Sequence, residues 1–168
     1  YPFLDEIASY QGFGPGRFNA DLDPETGWQF EAGLAAEILR DVNYELRIFH
    51  LELRDEIAYV GPTNENLDQT RRNGVETSLR WSPEKCGSLG LTYQLIDAEF
   101  SDGPNDGNTV PLVPAQYLTL DGELKVAYGV SLLAAMRASS SLYAGGDVAN
   151  QSDRVAGYAV FDLGVRYQ

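Results

Sequence analysis

From Trp28 to the end of the chain, apolar side chains recur at every second position, with polar or charged residues between them. A period of two sends successive side chains to opposite faces of an extended strand, so the pattern requires a sheet with one greasy and one wet surface. The first segment sets Trp28, Phe30, Ala32, Leu34, Ala36 and Ile38 against Gln29, Glu31, Gly33, Ala35 and Glu37. Val75, Thr77, Leu79 and Trp81 alternate with Glu76, Ser78 and Arg80, and Leu89, Leu91, Tyr93 and Leu95 alternate with Gly90, Thr92 and Gln94. Leu118, Leu120, Leu124 and Val126 oppose Thr119, Asp121, Glu123 and Lys125. A weaker segment over about 130–143 and a clear one through Phe161, Leu163, Val165 and Tyr167 bring the expected total to about seven strands. The stretch from Tyr44 to about Tyr59 changes phase, with Leu46 and Ile48 on one side and Phe49, Leu51 and Leu53 on the other. A bulge near Phe49 and His50 is expected to reconcile them.

The second face is too charged for the interior of a packed sandwich, which places water against it. The connections support the same conclusion. Short turns near 40–43, 82–88 and 129–130 alternate with long Gly-, Asn-, Asp- and Pro-rich loops at 60–70, 101–114 and 144–154, and a further long segment covers 8–27. Short turns at one end and long loops at the other are the plan of an antiparallel up-and-down transmembrane barrel. Tyr44, Trp81 and Tyr128 fall beside the short turns, where an interfacial aromatic girdle belongs. A mean hydropathy of -0.27, with no apolar run near the ~18 residues of a membrane helix, excludes helical spans but not strands, whose alternation averages out.

Twelve Lys and Arg against 25 Asp and Glu give a formal charge of -13, which repels phosphate backbones and argues against nucleic acid. Cys86 and His50 are the only residues of their types, so neither an internal disulfide nor a His/Cys metal cluster can form, and no cofactor is expected. Gly12-Phe13-Gly14-Pro15-Gly16 lacks a following helix and reads as a surface loop, not a phosphate cradle. Asp102 and Asp106 resemble a calcium loop only until Pro104 and Val113 occupy positions where oxygen ligands belong. Asn150-Gln151-Ser152 fits a glycosylation sequon but reads as a polar loop, and His50 reads as a structural or lumen-facing histidine. Arg71-Arg72 is either a solvated strand start or an anion site at the mouth of a lumen.

Several stretches resemble the C-terminal barrel region of TonB-dependent outer-membrane receptors. Tyr1-Pro2-Phe3-Leu4-Asp5-Glu6-Ile7 followed by Asn19-Ala20-Asp21-Leu22-Asp23-Pro24-Glu25 is similar to the family's aromatic-Pro segment and N-x-x-L-x-P-E element. Asp55-Glu56-Ile57, Asn66 and Thr70-Arg71-Arg72-Asn73-Gly74-Val75-Glu76 resemble its D-x-I, loop and G-V-E strand opening. Val110-Pro111-Leu112-Val113-Pro114 and Tyr158-Ala159-Val160-Phe161-Asp162-Leu163 resemble a loop end and a late strand.

The resemblance implies a non-enzymatic receptor in the bacterial outer membrane. It would bind a scarce ligand, typically haem, cobalamin or, foremost, a ferric siderophore, and import it with energy from the TonB complex. Such transporters have ~22 strands around a plugged lumen, so residues 1–168 are expected to be a partial barrel. The plug, earlier strands and closing strands are expected to lie elsewhere, because the sequence opens directly in folded-looking residues and reads as part of a longer polypeptide or a split barrel. Glu76, Arg80, Gln94, Asp121, Glu123 and Lys125 are expected to face the lumen, and Tyr10, Phe13 and Arg17 are candidate ligand contacts in the first long loop. Two alternatives stay open: a soluble extracellular β-sandwich binding carbohydrate or protein, and a porin lacking a plug.

Overall fold

The computed structural model describes residues 8–9, 17–19, 21–60 and 63–167, and among them it contains strands and no helix. Seven strands form one antiparallel sheet: β3 (Thr26–Leu39), β4 (Val42–Arg54), β7 (Thr70–Trp81), β8 (Gly87–Phe100), β9 (Gln116–Ala127), β10 (Val130–Ser139) and β11 (Tyr158–Tyr167). Their spatial order, β11-β10-β9-β8-β7-β4-β3, follows the chain, so each strand lies beside the one before it. A hairpin of β5 (Ile57–Val60) and β6 (Thr63–Asn66) rises from the β4–β7 connection, and β1 (Ala8–Ser9) pairs with β2 (Arg17–Phe18).

The three short turns share one end of the sheet because consecutive strands are antiparallel neighbours, and residues that accept left-handed backbone let the turns be tight. Asp41 closes β3–β4 at φ 64°, and Tyr128-Gly129 closes β9–β10 with φ 51° and 79°, as the tight mirror-image hairpin turn requires. The three long connections emerge at the other end, as the spacing of turn residues indicates.

The cross-strand register confirms the two faces. Tyr44, Leu79, Leu91, Leu120 and Met136 fall in one row of the apolar face, and Glu45, Ser78, Thr92, Thr119 and Arg137 run beside them on the other. Among the described residues no second sheet covers the apolar side: Leu89 is 52% and Leu95 45% exposed. A soluble sandwich would bury these residues, so this observation removes that alternative.

The phase change in β4 is not a bulge. Its register with β7 is unbroken from Val42↔Trp81 to Leu53↔Thr70, and the only shift against β3 lies at Glu37/Leu39 beside the turn. What changes at Phe49 and His50 is the polarity of the faces. On the face carrying Leu46 and Ile48, the next rows are His50, Asn73 and Asp97, then Glu52, Arg71 and Glu99. On the opposite face, beyond Glu45, Arg47 and Glu76, come Phe49, Gly74 and Ile96, then Leu51, Arg72 and Ala98, then Leu53, Thr70 and Phe100, a mainly apolar run in which Arg72 is paired with Glu56. From Val42 to His50 the strand runs roughly 26 Å at ~3.3 Å per residue, which at the ~35–45° tilt of barrel strands covers roughly 20 Å of the ~25 Å apolar band of an outer-membrane barrel. The strands therefore outrun the apolar band and continue with their faces exchanged. β4 itself ends at Arg54, where Asp55 turns left-handed at φ 59°, so Ile57–Val60 belong to the separate hairpin and not to one long strand.

Aromatic rings mark both limits of the band. Tyr44, Trp81 and Tyr128 stand toward the short turns, and at the opposite limit Trp28 packs edge-on against Phe30 at 4.7 Å and lies 5.0 Å from the His50 ring. The weak segment also differs from its expected span: β10 stops at Ser139, and Leu142 instead bridges Val155 within the following loop.

Leu91→Arg on the apolar face should cost ~2 to 4 kcal/mol in an intact barrel, whereas Thr92→Arg on the polar face should cost far less. Folding titrations of the full-length protein in lipid vesicles measure both, and equal losses would show the faces to be misassigned.

Candidate functional site

The polar face is crossed by ion pairs. Arg47 on β4 lies between Glu31 of β3, at 3.6 Å, and Glu76 of β7, at 2.9 Å. Arg80 on β7 reaches over β8 to Asp121 on β9, at 3.6 Å. Gly90 stands between them in register, and a Cβ there would lie 2.6 Å from the Asp121 carboxylate, so glycine keeps this path open. Further along, Arg166 meets Glu123 at 3.4 Å and Arg137 meets Asp162 at 3.6 Å. Gln94 is the cross-strand neighbour of Glu76, and the Lys125 ammonium donates to the Glu84 carbonyl at 2.8 Å beside a short turn. These side chains are half exposed, so each pair contributes at most ~1 kcal/mol; their effect is to line the surface with alternating, neutralised charge.

The six expected polar-face residues therefore share one face; the sequence alternation also puts Glu31 on the polar face, but it does not single out Arg47 or show which charges pair. Tyr10 and Phe13 lie outside the described residues, as does the Gly12–Gly16 loop; Arg17 is placed only as backbone in β2. Arg71 and Arg72 point to opposite faces. Arg71 pairs with Glu99 on the outer rows, and Arg72 forms two hydrogen bonds of 2.8 Å to the Glu56 carboxylate, so neither is held ready for an anion. His50 shares the face of the apolar band, not the polar face, and is bound to Asn73 at 2.7 Å.

At the loop end, the family-like stretches meet in space. Asn19 donates to the Asn64 carbonyl at 2.9 Å, and Glu25 accepts from the Ile57 amide at 2.7 Å. Asn66 accepts from the Asp23 amide at 2.8 Å and donates to the Asp23 and Asp55 carbonyls at 2.9 and 2.7 Å. Thr70, fully buried, donates to Glu56 at 3.0 Å beside Arg72. Residues far apart in the sequence thus tie the incoming chain, the hairpin and the start of β7 into one joint.

The loops behind this joint fold over the upper polar face. Ala98 and Phe100, which continue the face of Gln94, are buried with Val110 under Leu67, Val113 and Val148. Asn150 clamps Thr109 in both directions, accepting from its amide at 2.7 Å and donating to its carbonyl at 2.9 Å, so the sequon asparagine serves as a loop brace. The Asp147 carboxylate accepts the Gln151 and Ser152 amides, and these bonds hold its pKa below the ordinary aspartate value. A cleft of about 560 Å³ remains between the loops, walled by β5, residues 110–113 and residues 145–148.

A two-faced, open-ended antiparallel wall with aromatic limits and inward-folded loops defines a segment of a membrane-spanning β-barrel. A family model described as TonB dependent receptor-like, beta-barrel, matches residues 2–168, and the chain belongs to that family, whose members are outer-membrane receptors and transporters rather than enzymes. The siderophore receptor PiuA from Acinetobacter baumannii is similar at 26% identity and TM-score 0.72, over 92% of this chain and 25% of that one. BauA, the ferric preacinetobactin receptor of the same organism, is similar at 25% identity and TM-score 0.69, over 91% and 24%. The ferric yersiniabactin uptake receptor FyuA from Yersinia pestis shares the fold at 24% identity and TM-score 0.71, over 96% and 25%. The chain thus spans about a quarter of the length of these receptors. A search of curated protein sequences gives no significant match.

Glu56→Ala should leave the poorly exposed Arg72 guanidinium without its carboxylate, costing ~3 kcal/mol locally and raising amide exchange in residues 57–67 by roughly two orders of magnitude. Unchanged exchange there would contradict the role of the joint. Because the Asp147 pKa is depressed in the fold, its stabilisation is complete above the unfolded aspartate value and is lost as pH falls through the lower folded one. The protection factors of the Gln151 and Ser152 amides, exchange rates corrected for the intrinsic pH dependence of the unfolded chain, should therefore fall on acidification in the native protein and stay constant with pH in Asp147→Asn.

Proposed function

We propose that this chain is part of the barrel wall of an outer-membrane receptor that takes up a scarce ligand, most simply a ferric siderophore, with TonB supplying the drive. The observation that carries the reading is the family match along residues 2–168, joined to a sheet whose faces suit lipid on one side and water on the other. In this reading the apolar face meets outer-membrane lipid, and Glu76, Arg80, Gln94, Asp121, Glu123 and Lys125 line the lumen. Tyr10, Phe13 and Arg17 belong to the loop layer that first meets ligand. Residues 1–168 form one part of the cylinder, and the plug, the remaining strands and the contact with TonB lie outside them. The siderophore assignment draws on PiuA and BauA, which are described as receptors for such ligands. The neutralised polar face suits a plug that must slide or unfold past it, since no isolated charge needs to be stripped of water for that movement.

In cells lacking their own siderophore receptors, the full-length gene product should restore iron uptake from a ferric siderophore only when TonB is functional. Uptake that persists without TonB would sink this reading in favour of a passive pore.

A further inference from the structure

The cleft between the loops has a composition that bears on the charge of its occupant. Ile57, Val60, Pro111, Leu112 and Val148 supply apolar walls, and the backbone of Gly145 and Gly146 forms part of the rim. Gly146 sits at φ 82°, where a side chain is disfavoured, so that part of the rim stays bare. The volume of about 560 Å³ lies within the ~300 to 1,000 Å³ range of small-molecule sites. Among the described residues its only charged lining side chains are Arg72 and Glu56, already joined to each other by two hydrogen bonds. Arg72 shares its face with Glu76, so the cleft stands at the open end of the same polar surface.

The other described cations of the loop end lie outside this cleft. Arg71 is held by Glu99, Arg154 lies over the Tyr143 ring at 4.7 Å, and Arg54 lines a separate cleft with Asp55, Asp68 and Asp102. The chain as a whole carries 12 basic against 25 acidic side chains. A polyanionic chelate entering here would lose hydration against apolar walls, meet in the cleft lining a single guanidinium already neutralised by Glu56, and feel the net negative charge of the chain.

Resting on the receptor reading above, we infer that this cleft selects an electrically neutral metal chelate with an apolar outer surface and disfavours polyanionic ones. A ferric ion fully neutralised by hydroxamate groups meets that description, whereas the corresponding catecholate complex is a polyanion. Leu112 is the wall residue that tests this most directly, because its side chain is 64% exposed and its replacement disturbs no buried packing.

The experiment is a binding titration of the full-length receptor in nanodiscs with a ferric tris-hydroxamate and a ferric tris-catecholate, followed by intrinsic fluorescence. The wild-type protein should bind the hydroxamate complex tighter, by on the order of tenfold or more. Leu112→Arg, which places an unpaired cation in the cleft, should weaken the neutral chelate and strengthen the catecholate. Tighter wild-type binding of the catecholate, or a Leu112→Arg protein that treats both chelates as the wild type does, overturns the inference while leaving a siderophore receptor in place. Binding of neither chelate overturns the inference as well, and the TonB-dependent uptake assay then decides separately whether the receptor reading stands.

Discussion

A bilayer offers no water to an unpaired backbone amide or carbonyl, and that single condition shapes this chain. A strand crossing hydrocarbon must give its hydrogen bonds to neighbours on both sides. From β4 to β10 every strand of the sheet has a partner on each side in sequential order, with one register irregularity beside each of two hairpin turns. Once the backbone is satisfied in this way, the side chains are free to carry opposite chemistry on the two faces, which is what allows a protein of negative mean hydropathy to meet lipid.

The faces are not uniform along their length. Below the row of His50, Asn73 and Asp97, lipid-compatible side chains stand on one face and paired ions on the other; above it, the first face turns charged and the second turns mainly apolar around the paired Arg72. The reversal marks where hydrocarbon ends. Beyond it the outward side bears Glu52, Arg71 and Glu99, suited to water and headgroups, while the inward side bears Leu53, Ala98 and Phe100, the last two buried beneath the loops. Gly74 belongs to the same scheme: the Phe49 ring lies over it so closely that any side chain there would collide with the ring. One row of residues thus converts a membrane wall into the base of a small loop-covered core.

Most of the sheet was legible in the sequence because membrane strands advertise themselves through alternation alone. Val75–Trp81, Leu89–Leu95 and Leu118–Val126 needed no tertiary information to be placed on the right faces. The Tyr44–Tyr59 stretch misled because a phase change in a soluble sheet means an extra residue, whereas here it means a change of surroundings, which local sequence does not reveal. The loop joint was half legible. Its residues stood out by resemblance, yet nothing in their spacing showed that Asn66 would reach Asp23, or that Glu56 would take Arg72. The ion pairs on the polar face were invisible for a related reason: Arg80 and Asp121 are partners only because a glycine on the strand between them clears the way.

Asn66 bonds to main-chain atoms of Asp23 and Asp55 rather than to their carboxylates. Backbone amides and carbonyls are present whatever residue occupies those two positions, so the fastening is indifferent to the side chains it holds. Tips of the adjoining loops can consequently vary in length and chemistry over evolutionary time while the anchor beneath them stays put, and a single scaffold can be refitted to new cargo without being rebuilt.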